Sequence, residues 1–106
     1  MLGAEHPSTL ASIANVALTY QSQGRWNEAE KLGIQVMEKR KTVLGAEHPD
    51  TLASMVDLAY TWKRQGSLLE ALALLEESCL LSHKTLGSNH PRTRDAIYAL
   101  DHWQDE

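Results

Sequence analysis

Leu44-Gly45-Ala46-Glu47-His48-Pro49-Asp50-Thr51-Leu52 is the stretch whose reading decides the fold. The same nine positions occur 42 residues earlier as Leu2-Gly3-Ala4-Glu5-His6-Pro7-Ser8-Thr9-Leu10, and 42 later as Leu86-Gly87-Ser88-Asn89-His90-Pro91-Arg92-Thr93-Arg94. Laid against residues 44–85, residues 2–43 are identical at roughly 17 of 42 positions. Self-similarity at a fixed period in this range marks stacked helical units. A unit of this size cannot bury its own apolar face, so neighbours stack into one continuous core. Function is therefore expected on a surface rather than in a pocket.

The 106 residues divide into repeat 1 (2–43), repeat 2 (44–85) and a partial or capping repeat 3 (86–106), read as one domain. Three units are about the minimum for a stable stack, so the chain is expected to be marginal as a monomer. A formal net charge of -4 lacks the basic stripe that nucleic acid requires. With 42% apolar residues and no apolar run near 18, no membrane span is expected. The amino terminus enters the repeat at once, so no signal peptide is expected, and the single cysteine, Cys79, fits a reducing, cytoplasmic setting.

His6-Pro7-Ser8-Thr9 opens a helix expected over about 7–23, because Pro is favoured at the first helical position. Leu10, Ile13, Ala17 and Tyr20 share one face and form its seam. Gly24 and its counterpart Gly66 supply the left-handed stop that helix ends favour. A second helix follows over about 26–43, with Ala29, Leu32, Val36 and Met37 inward. Glu28 and Glu30 lie in its first turns and Lys39, Arg40 and Lys41 in its last, complementing the helix dipole.

Repeat 2 follows the same plan, with helices over about 49–65 and 68–84 and a seam of Leu52, Met55, Ala59 and Trp62. Its second helix departs in one respect. Asn27, Glu30 and Glu38 become Leu69, Leu72 and Leu80; at 100 degrees per residue Leu69 and Leu80 lie about 20 degrees apart, with Leu72 about 60 degrees from Leu69. A helix apolar almost all round is usually covered, by further repeats or by another chain. The last helix, over about 91–103, keeps Ile97 and Leu100 on the seam, but replaces Ala17 and Ala59 by Asp101, and Tyr20 and Trp62 by Gln104. A polar ending of this kind suits a capping helix.

No residue pattern supports catalysis, a cofactor or a metal. His6, His48 and His90 stand at equivalent places in successive repeats, roughly 20 Å apart by two interhelical spacings, whereas zinc ligands lie about 2 Å from the ion. Cys79 falls at a core-facing helix position and reads as an inert thiol. No phosphate loop, nucleophile elbow or His-Glu-x-x-His occurs.

The pattern large-x-x-large-Ala-x-x-aromatic, followed by Gly and Glu-Ala, resembles the tetratricopeptide repeat. Ile13, Val16, Ala17, Tyr20 and Ala29 carry it in repeat 1, and Met55, Leu58, Ala59, Trp62, Ala71 and Leu75 in repeat 2. The 42-residue spacing with Leu-Gly-x-x-His-Pro-x-Thr resembles the kinesin-light-chain type, as found in arrays of fungal and bacterial nucleotide-binding signalling receptors. The resemblance implies an all-α fold, a right-handed α-solenoid of antiparallel helix pairs with five helices in about 2.5 units. Gly33 replaces the family's usual bulky residue, implying looser packing there.

It also implies a concave groove, lined by the first helix of each repeat, that holds a peptide or partner protein. The family's groove positions fall on Ala14, Asn15, Leu18, Gln21 and Ser22, then on Val56, Asp57, Tyr60, Lys63 and Arg64, and finally on Tyr98 and His102. Leu18 and Tyr60 are the expected apolar anchors, Asn15 a donor to ligand backbone, and Lys63 and Arg64 partners for a carboxylate. Ala14 and Val56 remove two places of the clamp by which some relatives hold a C-terminal carboxylate. A non-catalytic protein-interaction module is the leading expectation. The alternative is self-association, giving a homodimer through Leu69, Leu72 and Leu80 or through the unfinished third repeat.

Overall fold

A computed structural model describes residues 7–87 and 89–103, without the side chains of Pro7, Ser8 and Arg92. His6 and the polar ending from Gln104 onward lie outside the described residues. Five helices follow one another: α1 (Pro7–Ser22), α2 (Trp26–Leu44), α3 (Pro49–Arg64), α4 (Leu68–Leu86) and α5 (Pro91–Trp103). α3 and α4 begin and end 42 positions after α1 and α2, and α5 begins 42 after α3. Each helix packs on the next, α1 on α2 through to α4 on α5, making an α-solenoid of antiparallel pairs.

The repeated nonapeptide builds the connector between pairs. Gly45 ends α2 at φ 98°, and its N–H donates to the carbonyls of Arg40 and Lys41. A side chain at that φ would be strained, which is why glycine recurs there. His48 then caps α3: its Nδ1 accepts from the N–H of Asp50 at 3.0 Å, and Pro49 takes the first helical position. The buried Thr51 hydroxyl donates back to the Gly45 carbonyl at 2.8 Å. Gly87 ends α4 in the same way, its N–H donating to the carbonyls of Ser82 and His83, whereas the buried Thr93 hydroxyl pairs with that of Ser82 at 2.6 Å. His48 is thus the N-terminal cap of α3. Gly24 and Gly66 stop α1 and α3 at positive φ, as expected.

The core lies around α3, which has a helix on either side. Leu52, Met55, Leu58 and Ala59 meet Ala71 and Leu75 of α4, while Ala96 and Ala99 of α5 pack against the far side of α4. Leu10, Ala17, Ala29 and Val36 form the smaller buried layer of repeat 1. Polar ties cross between helices. Trp62 donates its Nε1–H to Glu30 at 2.7 Å, Gln65 donates to Asn27 at 2.9 Å, and Arg40 donates to the Ser54 hydroxyl at 2.8 Å. No buried side-chain polar atom among the described residues lacks a partner.

Two expectations need correction. Ile97 does not sit in the seam: it is 38% exposed, because no described helix covers the side of α5 that Met55 turns toward α4. Thr93, Ala96 and Ala99 are buried instead, on the side turned to α4. Cys79 packs against the core and is half-buried, and burial, helped by the carboxylates of Asp101 and Glu76, pushes its thiol above the usual range. Packing at Gly33 is close rather than loose, since a Cβ there would meet Leu58 Cδ1 at 3.3 Å.

Candidate functional site

The antiparallel order brings the C-terminal ends of α1, α3 and α5 and the N-terminal ends of α2 and α4 to one end of the stack. Tyr60, Lys63 and Arg64 converge there with two residues that the sequence reading did not include. Tyr60 meets the Trp26 ring edge-on at 6.0 Å between centroids, and the Trp103 ring at 6.3 Å. The Lys63 ammonium lies 5.4 Å from the Trp103 centroid, and the Arg64 guanidinium 5.5 Å from that of Trp26. Tyr60 stays exposed, so the cluster presents apolar rings under two cations. Such cation–ring contacts hold long side chains in place while leaving the charge at the surface. Trp26 and Trp103 belong to different helices and share no register with Tyr60. Only the end-to-end placement of the helices reveals them.

Further along α3 the surface changes sign. A cavity of about 190 Å³ is lined by Leu52, Ala53, Val56 and Asp57 of α3, Ser78 and Ser82 of α4, and Asp95 of α5. Asp57 lies six residues before Lys63, roughly 9 Å along the helix at 1.5 Å per residue. The α3 surface thus passes from acidic to basic within about two turns.

The other expected residues separate into two groups. Gln21 turns toward α3, donating its amide N–H to the Asp57 carbonyl at 2.9 Å and the Thr61 hydroxyl at 2.7 Å. It is therefore a tie between repeats, with its donors already engaged. Ala14 and Leu18 line a smaller crevice of about 20 Å³ beside it, walled by Ala17, Gly33 and Leu58. Asn15 and Ser22 are exposed, and the Ser22 hydroxyl donates to the Leu18 carbonyl. On α5, Tyr98 is 64% exposed and stacks on His102 at 3.8 Å, while a His102 ring nitrogen contacts the Tyr98 carbonyl at 2.7 Å. On α4, Leu69 and Leu80 are 83% and 66% exposed, whereas Leu72 is half-buried.

No group of three or more His, Cys, Asp or Glu among the described residues is placed to hold a metal. No described helix is long and apolar enough to cross a membrane.

The tetratricopeptide repeat profile matches twice, at residues 9–50 and 51–92. The fold is also that of solved structures of a kinesin-light-chain-like protein with nearly identical TPR-like repeats from Podospora anserina. One such structure is 38% identical with a TM-score of 0.82, and a single-substitution variant of that protein is 36% identical with a TM-score of 0.85. Each alignment covers 98% of this chain and 49% of the other, so the chain spans about half the length of those proteins. No curated protein matches. Two consecutive 42-residue matches, on helix pairs whose bounds are offset by the same interval, show that the chain belongs to the tetratricopeptide repeat family.

Proposed function

We propose that this chain is a protein-binding module that holds an extended or helical segment of another polypeptide along α3 and α5. Repeats of this family are generally protein-interaction modules. The observation that carries the reading is the cluster of Tyr60, Trp26 and Trp103 with Lys63 and Arg64 above the rings. Exposed, rigidly braced aromatic and arginine side chains are the residue types that dominate binding energy at protein interfaces. A carboxylate on the partner meets Lys63 and Arg64, and an apolar side chain meets Tyr60. The opposite charge at Asp57 and Asp95 favours a basic residue further along the same segment, which sets its direction.

The test is a random-peptide display selection against the wild-type chain, counter-screened on Tyr60→Ala and on Lys63→Glu/Arg64→Glu. The selected peptides are expected to be rich in carboxylates and to bind Tyr60→Ala at least about tenfold more weakly, with helical content unchanged by circular dichroism. Equal binding to Tyr60→Ala, or no loss on reversing both cations, removes the cluster as the site.

A second reading, self-association in place of partner capture, is favoured by the exposure of Leu69 and Leu80. Fully covering each would contribute about 1.5–3 kcal/mol.

A further inference from the structure

α5 differs from the other first helices in the side it leaves open. Thr93, Ala96 and Ala99 are buried, with Leu100 and Trp103 packed beside them. The opposite side carries Arg94, Ile97, Tyr98 and Asp101, all exposed, within about 100 degrees of the helix circumference. In α1 and α3 the corresponding seam positions are Leu10, Ile13 and Ala17, and Leu52, Met55 and Ala59, turned toward the second helix of their own repeat. In α5 two of these three positions are charged. A helix packed there as α4 packs on α3 would trap Arg94 and Asp101 against apolar side chains, at a desolvation cost that no ion pair among the described residues offsets.

The charges are placed symmetrically. Arg94 lies three residues before Ile97, and Asp101 three residues after Tyr98. Turned end over end, the face presents an acid wherever it previously presented a base, with the apolar pair still at its centre. Self-complementarity of this kind is what an isologous two-fold interface requires.

We propose that α5 pairs antiparallel with α5 of a second copy, about a two-fold axis passing between Ile97 and Tyr98. Arg94 of each copy then lies opposite Asp101 of the other, and Ile97 packs against Tyr98 of the other. Neither charged residue has an ion pair among the described residues. Tyr98 is held in one orientation by its stack on His102, which lowers the entropy lost on pairing. A helix of 13 residues is roughly 20 Å long, so the contact falls at the small end of specific interfaces and the dimer is weak and concentration-dependent. The proposal rests on the self-association reading and not on the groove. It moves the contact from the leucines of α4 to α5.

Sedimentation equilibrium over a range of concentrations tests it on five chains: wild type, Arg94→Asp, Asp101→Arg, the double reversal, and Leu80→Glu. The wild type is expected to show a monomer–dimer equilibrium. Each single reversal weakens it on the order of tenfold, because two attractive pairs become repulsive. The double reversal restores it close to wild type, and Leu80→Glu leaves it unchanged. All four changes are at exposed positions, and circular dichroism checks that each chain folds. A wild-type monomer at every concentration overturns both the proposal and the self-association reading. A double reversal as weak as the singles, or a dimer lost only in Leu80→Glu, overturns the α5 pairing while leaving self-association in place.

Discussion

Val16 and Leu58 stand at the same place in successive repeats, yet Val16 is 46% exposed and Leu58 is 1% exposed. Both are large and apolar, and both sit on the same face of a first helix. The difference is that α3 has α2 before it and α1 has no described helix before it. The same holds for Thr61, buried on α3, against Thr19, exposed on α1. At the other end, Met55 is covered by the helix that follows and Ile97 is not. A repeat position is thus core or surface according to its neighbours, and the residue type alone does not decide which.

The largest expected effect breaks this comparison at its centre. Leu58→Ala removes a buried side chain and is expected to cost about 2–5 kcal/mol in urea unfolding, whereas Val16→Ala, facing open space, stays within about 0.5 kcal/mol of wild type. Equal losses would mean that α1 is covered as α3 is. Next in size is the tie between repeats at Trp62. Trp62→Phe loses the 2.7 Å bond to the Glu30 carboxylate, and is expected to cost about 1–2 kcal/mol. Its end-of-stack counterpart, Tyr20→Phe, keeps the ring under the Arg25 guanidinium and is expected to change stability by less than about 0.5 kcal/mol.

Gly33 sharpens the comparison between the two second helices. Alanine there gains about 1 kcal/mol of helix propensity over glycine. Against that, its Cβ meets the mobile end of Leu58, which borders the 20 Å³ crevice and can shift into it. Gly33→Ala is expected to stabilise the chain by about 0.5 kcal/mol, and a loss in thermal unfolding would show that Leu58 has no room.

The smallest expected effect is at Cys79. Its thiol is raised by burial, so the folded state disfavours the thiolate. The sign follows from linkage: this contribution to stability is whole below the ordinary thiol range and is lost as pH rises through the folded value. Alkylation by iodoacetamide at neutral pH, followed by mass spectrometry, is expected to run slower than for free cysteine. A faster rate would contradict the raised value.

Much of the fold is legible in the sequence because its signals are local. Pro at the first turn, Gly at the stop and apolar spacing over 10, 13 and 17 place each helix to within about two residues. The Leu-Gly-x-x-His-Pro-x-Thr motif reads as a connector for the same reason. The site is less legible. Tyr60, Lys63 and Arg64 share a face of one helix and are groove positions that the family resemblance implies, but Trp26 and Trp103 join them only because helix ends from three elements meet. Gln21 has the spacing of a groove residue, yet its amide finds a carbonyl and a hydroxyl on α3. Ile97 carries the apolar signal of a seam, although its cover depends on a neighbour that no pattern within α5 encodes.

Amide hydrogen exchange read by mass spectrometry over peptides from α1, α3 and α5 tests most directly whether place in the stack governs what each repeat position does. Slowest exchange in α3, with α1 and α5 opening more readily from the two ends, is the predicted order. Protection of α1 or α5 equal to that of α3 in the monomer would contradict it.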